Sequence, residues 1–246
     1  MQKNLYDDPI FFENYMQLRE NPLNYNRLLE QPALQAMLPP LRGKSVLDLG
    51  CGFGDACRAY LTLGAAEVTG IDLSHRMIAE AEKRNADARI VYHCMDMTAL
   101  SALDKMFDVA VSSLAVHYIE DFDAFLCAVR ACLQPGGVFV FSQEHPLTTA
   151  PSAGPQWMAT EAGARYYALS GYSRPGARTV PWLDRSVQKY HRTFSQILCA
   201  ARRAGFTLEE MQEPVPNAET VRKNPRMEKE FDKPSFLLLR LRAGAV

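Results

Sequence analysis

Three glycines at alternate positions, Gly50, Gly52 and Gly54, stand directly after the apolar run Val46-Leu47-Asp48-Leu49, and an amphipathic stretch follows over residues 56–63. The order reads as strand, tight turn, helix. Glycines reach backbone angles closed to other residues and let a ligand approach the main chain. The helix behind them offers free N–H groups. Turns of this kind serve nucleotides of several types. Two more acids fall at strand-like ends: Asp72 closes the run 67–72, and Asp96 follows the run 89–94. A carboxylate so placed can accept two charge-assisted hydrogen bonds from a cis-diol. His117 lies beyond the run 107–112, and Glu144-His145 lie beyond 138–143, as groups able to move a proton.

Charge separates the ligand classes. Asp48 lies two residues before the first glycine and Asp55 follows the last. A carboxylate there repels a pyrophosphate but attracts the ammonium of a methionine moiety. The spacing is G-x-G-x-G, not the dinucleotide G-x-G-x-x-G, and the Walker Lys-Ser/Thr is absent. These features favour S-adenosylmethionine.

The elements that must position these residues follow a regular rhythm. Strands are expected at 45–50, 67–72, 89–94, 107–112 and 138–143. Helices are expected at 54–63, closed by Gly64, from Ser74 onward with Met77, Ile78 and Ala81 inward, and at 121–133. Four consecutive β–α units predict an α/β fold, a parallel sheet doubly wound with helices on both faces. Ligands then sit beyond the carboxyl ends of the strands. Ahead of this core, Asp7-Asp8-Pro9 starts a helix whose Tyr15 and Arg19, four apart, share one face as a flap over the ligand. A second helical stretch spans 25–38. After residue 145 an irregular, aromatic-rich segment, 146–182, carries Trp157, Tyr166, Tyr167, Tyr172 and Trp182 and is expected to cover the substrate as a lid. A helix over 186–204, with His191 at its start, then leads to strands at 206–211 and 236–241 that finish the sheet antiparallel.

At this level of detail the chain resembles the class I S-adenosylmethionine-dependent methyltransferases. Val46-Leu47-Asp48-Leu49-Gly50-Cys51-Gly52-Phe53-Gly54 resembles that family's first motif, and Val68-Thr69-Gly70-Ile71-Asp72-Leu73-Ser74 its second. Cys94-Met95-Asp96-Met97, the block 107–118 and Leu133-Gln134-Pro135-Gly136-Gly137 stand where three later motifs belong. Glu144-His145-Pro146 and Tyr190-His191-Arg192-Thr193 resemble the small-molecule branch called type 11. The resemblance implies a Rossmann-like, mostly parallel seven-stranded sheet. The resemblance covers about residues 41–145, the cofactor core; with the elements read above, one domain is expected, with a helical cap (1–40) before that core and the lid (146–183) and a C-terminal part (184–246) after it. The resemblance implies that Asp72 binds the ribose hydroxyls, that Asp96 contacts the adenine amino group and that Leu73 and Met97 sandwich the ring. Tyr15, Arg19, Asp48, Gly50, Gly52, Gly54, Met77 and Ser113 complete the expected cofactor set. S-adenosylhomocysteine is the expected product, and His117, His145 and Glu144 are the candidate catalytic groups.

Composition narrows the partners. A net charge of −1 leaves no basic surplus for nucleic acid. The block Ser112-Ser113-Leu114-Ala115 is not the Asn/Asp-Pro-Pro-Tyr/Phe of base methylation. No apolar run suits a membrane span, and residues 1–5 lack a signal-like core, so the cytoplasm is the expected place. Six cysteines without a C-x-x-C pair read as reduced, buried thiols, and no metal is expected. The expected partner is a small-molecule methyl acceptor, met by a monomer or homodimer. The acceptor atom, O or N, stays open. The alternatives are a non-catalytic S-adenosylmethionine-binding module and, more weakly, an NAD-dependent reductase.

Overall fold

The computed structural model describes residues 4–154, 156–161, 163 and 165–244. Its body is one seven-stranded sheet in which β1 (Ser45–Leu49) sits near the centre. β2 (Glu67–Asp72) and β3 (Ile90–Cys94) add in parallel on one side, and β4 (Phe107–Ser112) and β5 (Leu133–Glu144) on the other. The chain therefore reverses its direction of winding at β1, and a crevice opens between the ends of β1 and β4. β10 (Phe206–Gln212) and β11 (Phe236–Ala243) complete the edge antiparallel, as the short spacing between them predicts.

Strand alternation divides the core into two layers. Leu47, Leu49, Ile71, Phe139, Phe141, Leu237 and Leu239 face α5 (Phe122–Ala131) and α7 (Phe194–Arg203). Val46, Val68, Val109, Val111, Val140 and Leu238 face α3 (Asp55–Thr62) and α2 (Gln31–Ala36). The N-terminal cap forms as the local chemistry dictates. Asp8 caps α1 (Pro9–Glu20) by accepting from the N–H groups of Ile10 and Phe11, with Pro9 at the first turn. A π-helical turn, Asn26–Glu30, precedes α2.

Two sequence expectations fail between residues 146 and 193. The segment after β5 is not irregular. A short helix, α6 (Pro146–Thr149), is followed by two hairpins, β6 (Trp157–Ala159) with β7 (Arg165–Tyr167), and β8 (Gly176–Trp182) with β9 (Arg185–His191). The helix expected from 186 starts only at 194, and His191 ends a strand. The reason is a period of two. Val187, Lys189 and His191 are buried while Ser186 and Gln188 are exposed. Thr193 then starts α7 through a reciprocal capping box with Gln196. The β8–β9 turn gave no glycine signal because Leu183 and Asp184 themselves adopt positive φ, 47° and 61°. The cysteines also divide: Cys51, Cys57 and Cys132 are buried, but Cys94, Cys127 and Cys199 are exposed.

Candidate active site

The glycine turn leaves β1 at the crevice. Gly50 and Gly52 both take positive φ, 77° and 54°. A Cβ on Gly50 would lie 2.7 Å from the Ala115 Cβ in the loop after β4, whereas one on Gly52 would project into open space. Glycine is thus required once for packing and once for clearance over a ligand. Gly54, the cap residue of α3, lines no cavity described around the turn and packs instead on Tyr92 and Ala81.

Three adjoining cavities converge on this turn. The first, about 250 Å³, is lined by Tyr15, Arg19, Asp48, Gly50, Gly52 and Ser113. The second, about 340 Å³, is lined by Asp72, Leu73, Asp96, Met97 and Tyr118. Between them a cavity of about 610 Å³ touches Asp72, Leu73, Met77, Met97 and Ser113, and adds Tyr6, Tyr15, Leu114, Tyr118 and Val187. Every expected cofactor residue except Gly54 lines one of the three.

Asp72 accepts from the Gly52 N–H (3.0 Å) with one oxygen and from the Ser74 N–H (2.9 Å) with the other. Burial raises its pKa, and the backbone bonds oppose that rise. Each oxygen keeps a lone pair for a diol. Ser74 caps α4 (His75–Arg84) through the Met77 N–H and donates its own hydroxyl to Asp7 (2.7 Å), so the N-terminal segment closes over this edge. Asp96 forms a local turn with Thr98. Leu73 is 54% exposed, an apolar side chain offered to a flat ring. Asp48 is fully enclosed and accepts from the Cys57 thiol (3.3 Å); burial pushes its pKa up to about 7. The glycine cradle, the diol-ready carboxylate and the apolar slot fit the three parts of S-adenosylmethionine.

The candidate catalytic groups separate. His117 sits in a short 3-10 turn, Val116–Tyr118, buried beside the end of β5. Its Nδ1 accepts from the Glu144 N–H (3.4 Å), which puts the ring proton on Nε2, and burial lowers its pKa to about 4. Glu144 is bound to Lys189 (2.5 Å). Burial pushes its pKa up, but His117, Lys189 and Lys233 outweigh this and hold it below the ordinary value. It lines a fourth cavity, about 320 Å³, with Thr148, Arg178, Trp182 and Lys189, between α6 and the β8–β9 hairpin. His145 is engaged at both ring nitrogens, accepting from the Leu147 N–H and meeting Glu213 (2.8 Å). It lines none of these cavities and serves as the cap of α6.

Tyr6 and Glu30 escaped sequence reading, as did the meeting of Tyr15 and Phe11 with Trp182. Tyr6, Phe11, Tyr15 and Trp182 pack edge to face, with Tyr6 5.2 Å from Tyr15 and Trp182 5.8 Å from Tyr15. They join the N-terminal cap to the hairpin tip. Glu30 is wholly buried and accepts from Ser113, Ser142 and Asn26. Burial raises its pKa against the pull of those hydroxyls and of Arg19. Its only trace in the sequence is the four-residue spacing from Asn26, which helices of any kind show.

Comparison with known proteins agrees with this geometry. Residues 47–141 match the family described as a methyltransferase domain. A crystal structure of an S-adenosylmethionine-dependent methyltransferase from Mesorhizobium loti is 40% identical, with a TM-score of 0.81 over 87% of this chain and 97% of that one. A fatty-acid O-methyltransferase of Mycolicibacterium smegmatis is 31% identical over 182 residues, 68% of this chain and 64% of that protein. A malonyl-[acyl-carrier protein] O-methyltransferase of Pseudescherichia vulneris is 38% identical over 109 residues, 44% of this chain and 42% of that protein. With seven strands in this order, the cradle at β1 and these relatives, the chain belongs to the S-adenosylmethionine-dependent methyltransferases.

Proposed function

We propose that this methyltransferase methylates an acidic oxygen, a carboxylate foremost, of a small organic acceptor by direct in-line transfer. The observation that carries this reading is that each candidate base is already committed, and that of the three only Glu144 lines one of the cavities described. Glu144 is ion-paired, His145 is held at both nitrogens, and His117 presents a proton rather than a lone pair. A nucleophile ionised at neutral pH needs no base; an alcohol does. The names of the fatty-acid and malonyl relatives point the same way.

When bound, S-adenosylmethionine supplies an electrophilic methyl on a sulfonium. The protein's share is placement and exclusion of water. In this reading Asp72 holds the ribose, Leu73 and Met97 sandwich the adenine beside Asp96, and Arg19, Asp48 and the Gly50–Gly52 turn hold the amino-acid end. Tyr6, Tyr15, Leu114, Tyr118 and Val187 wall the space where donor and acceptor meet. Arg178, whose guanidinium meets backbone carbonyls, lines the adjoining chamber with Thr148 and draws the anionic end of the acceptor into it, while Lys189 neutralises Glu144 there. The 146–183 insertion is thereby a lid, built as hairpins.

Release of S-adenosylhomocysteine across a panel of carboxylates, phenols and amines tests this. Carboxylates are expected to turn over with a kcat/KM independent of pH between 6 and 9. Glu144→Gln is expected to retain turnover, while Lys189→Met raises the acceptor KM. Turnover of amines alone would overturn the oxygen assignment. Silence across the panel despite cofactor binding would favour a binding module.

A further inference from the structure

Leu114 has φ = 52°, a left-handed conformation that a branched side chain disfavours. It lies in the loop after β4, lines the central cavity, and is followed by Ala115, whose Cβ is what forbids a side chain on Gly50. The path of this loop therefore sets the clearance over the glycine turn. Something must hold it.

The Leu114 N–H is gripped by Ser142, by the carbonyl at 3.2 Å and by Oγ at 2.9 Å. Because Ser142 Oγ accepts there, its single proton goes elsewhere, and it goes to Glu30 Oε1 at 2.5 Å. Ser113 Oγ donates to the same oxygen at 2.9 Å. The other oxygen accepts from the Asn26 amide, and the Asn26 carbonyl takes the Arg19 guanidinium. Arg19 can only donate, so the amide orientation is settled, and a neutral side chain is inserted between a cation and an anion. One enclosed carboxylate thus ties together α1, the π-helical turn, the carboxyl end of β5 and the loop facing the methyl donor. Replacing it leaves buried donors unmatched at the point where strain is stored.

We propose that Glu30 is a positioning residue for methyl transfer: through Ser142 it holds Leu114 in its left-handed conformation, and through Ser113 and Asn26 it sets two side chains of the donor pocket. This rests on the family assignment and is independent of the acceptor.

The test is a cycle of variants of the full chain, read as S-adenosylmethionine affinity by calorimetry with the melting temperature followed alongside. Glu30→Met keeps the shape and removes the acceptors. It is expected to weaken binding about tenfold or more. Leu114→Gly accepts positive φ freely, so in that background Glu30→Met is expected to cost several-fold less than with Leu at 114, the part carried by Ser113 and Arg19 remaining, whereas Leu114→Ala gives no such relief. Ser142→Ala, which leaves the Glu30 charge in place, is expected to behave in the same way and replaces Glu30→Met if that variant does not fold. Wild-type affinity in Glu30→Met and Ser142→Ala, or equal losses with Leu and Gly at 114, would overturn the proposal. So would a depressed melting temperature in both backgrounds with no rescue of affinity.

Discussion

At the scale of single residues, the site is a concentration of carboxylates in low dielectric. Asp48, Asp72 and Glu30 all have pKa values raised first by burial. The native Asp48 side chain releases its proton near 7, the unfolded one near about 4. Over that interval the native state binds more protons, so this group's contribution to stability is intact below about pH 4 and is lost as pH rises through 7. The cost at pH 8 is on the order of 4 kcal/mol. Asp48→Asn is therefore expected to melt above the wild type at pH 8 without cofactor, with the difference vanishing near pH 4; parallel melting profiles would show the group carries no such burden. If Asp48 faces the cofactor ammonium as proposed, the same variant should bind S-adenosylmethionine more weakly at pH 8, where the carboxylate it removes is ionised. Asp72→Ala removes two charge-assisted acceptors and should lower donor affinity about 100-fold by calorimetry. Unchanged binding would remove Asp72 from the ribose site.

At the scale of elements, the βα units were legible because each carried redundant marks: an apolar run, a glycine or serine cap, then a 3.6-residue period. Ser74 and Asp121 cap their helices as their positions predict. The β8–β9 hairpin was not legible. Its turn uses Leu183 and Asp184 at positive φ, which Asp tolerates but Leu disfavours, and its inner face buries Lys189 and His191 where a core strand ordinarily shows apolar residues. Lys189 is tolerated because Glu144 meets it, a partner 45 residues earlier in the chain. Leu183→Asn with Asp184→Gly should relieve the turn and stabilise the hairpin by about 0.5–1 kcal/mol, seen as a higher midpoint in urea. Thr193→Ala should cost about 1 kcal/mol by opening the capping box of α7; no change in midpoint would mean that the helix start is held by tertiary contacts alone.

At the scale of the whole molecule, two segments distant in sequence meet over the crevice. Tyr6 and Tyr15 touch Trp182, Asp8 meets Arg185 (3.4 Å), and the Tyr6 and Tyr118 hydroxyls lie 3.4 Å apart. If they close on the donor, proteolysis within residues 157–182 should slow several-fold when S-adenosylmethionine or S-adenosylhomocysteine is added, and Trp182→Ala should abolish most of that protection. Equal cleavage with and without ligand would show that the insertion does not cover the site. The sheet, the glycine turn and the strand-end acids were legible in the residue order, because they depend on local backbone requirements and on the short-range periodicity of apolar residues. That Glu30 is a hub, that Glu144 and His145 are occupied, and that His117 accepts at Nδ1 and so carries its proton on Nε2 emerge only from the folded arrangement. Those properties belong to pairs of groups far apart in the chain, and a buried polar side chain acquires its chemistry from the partner that burial forces upon it.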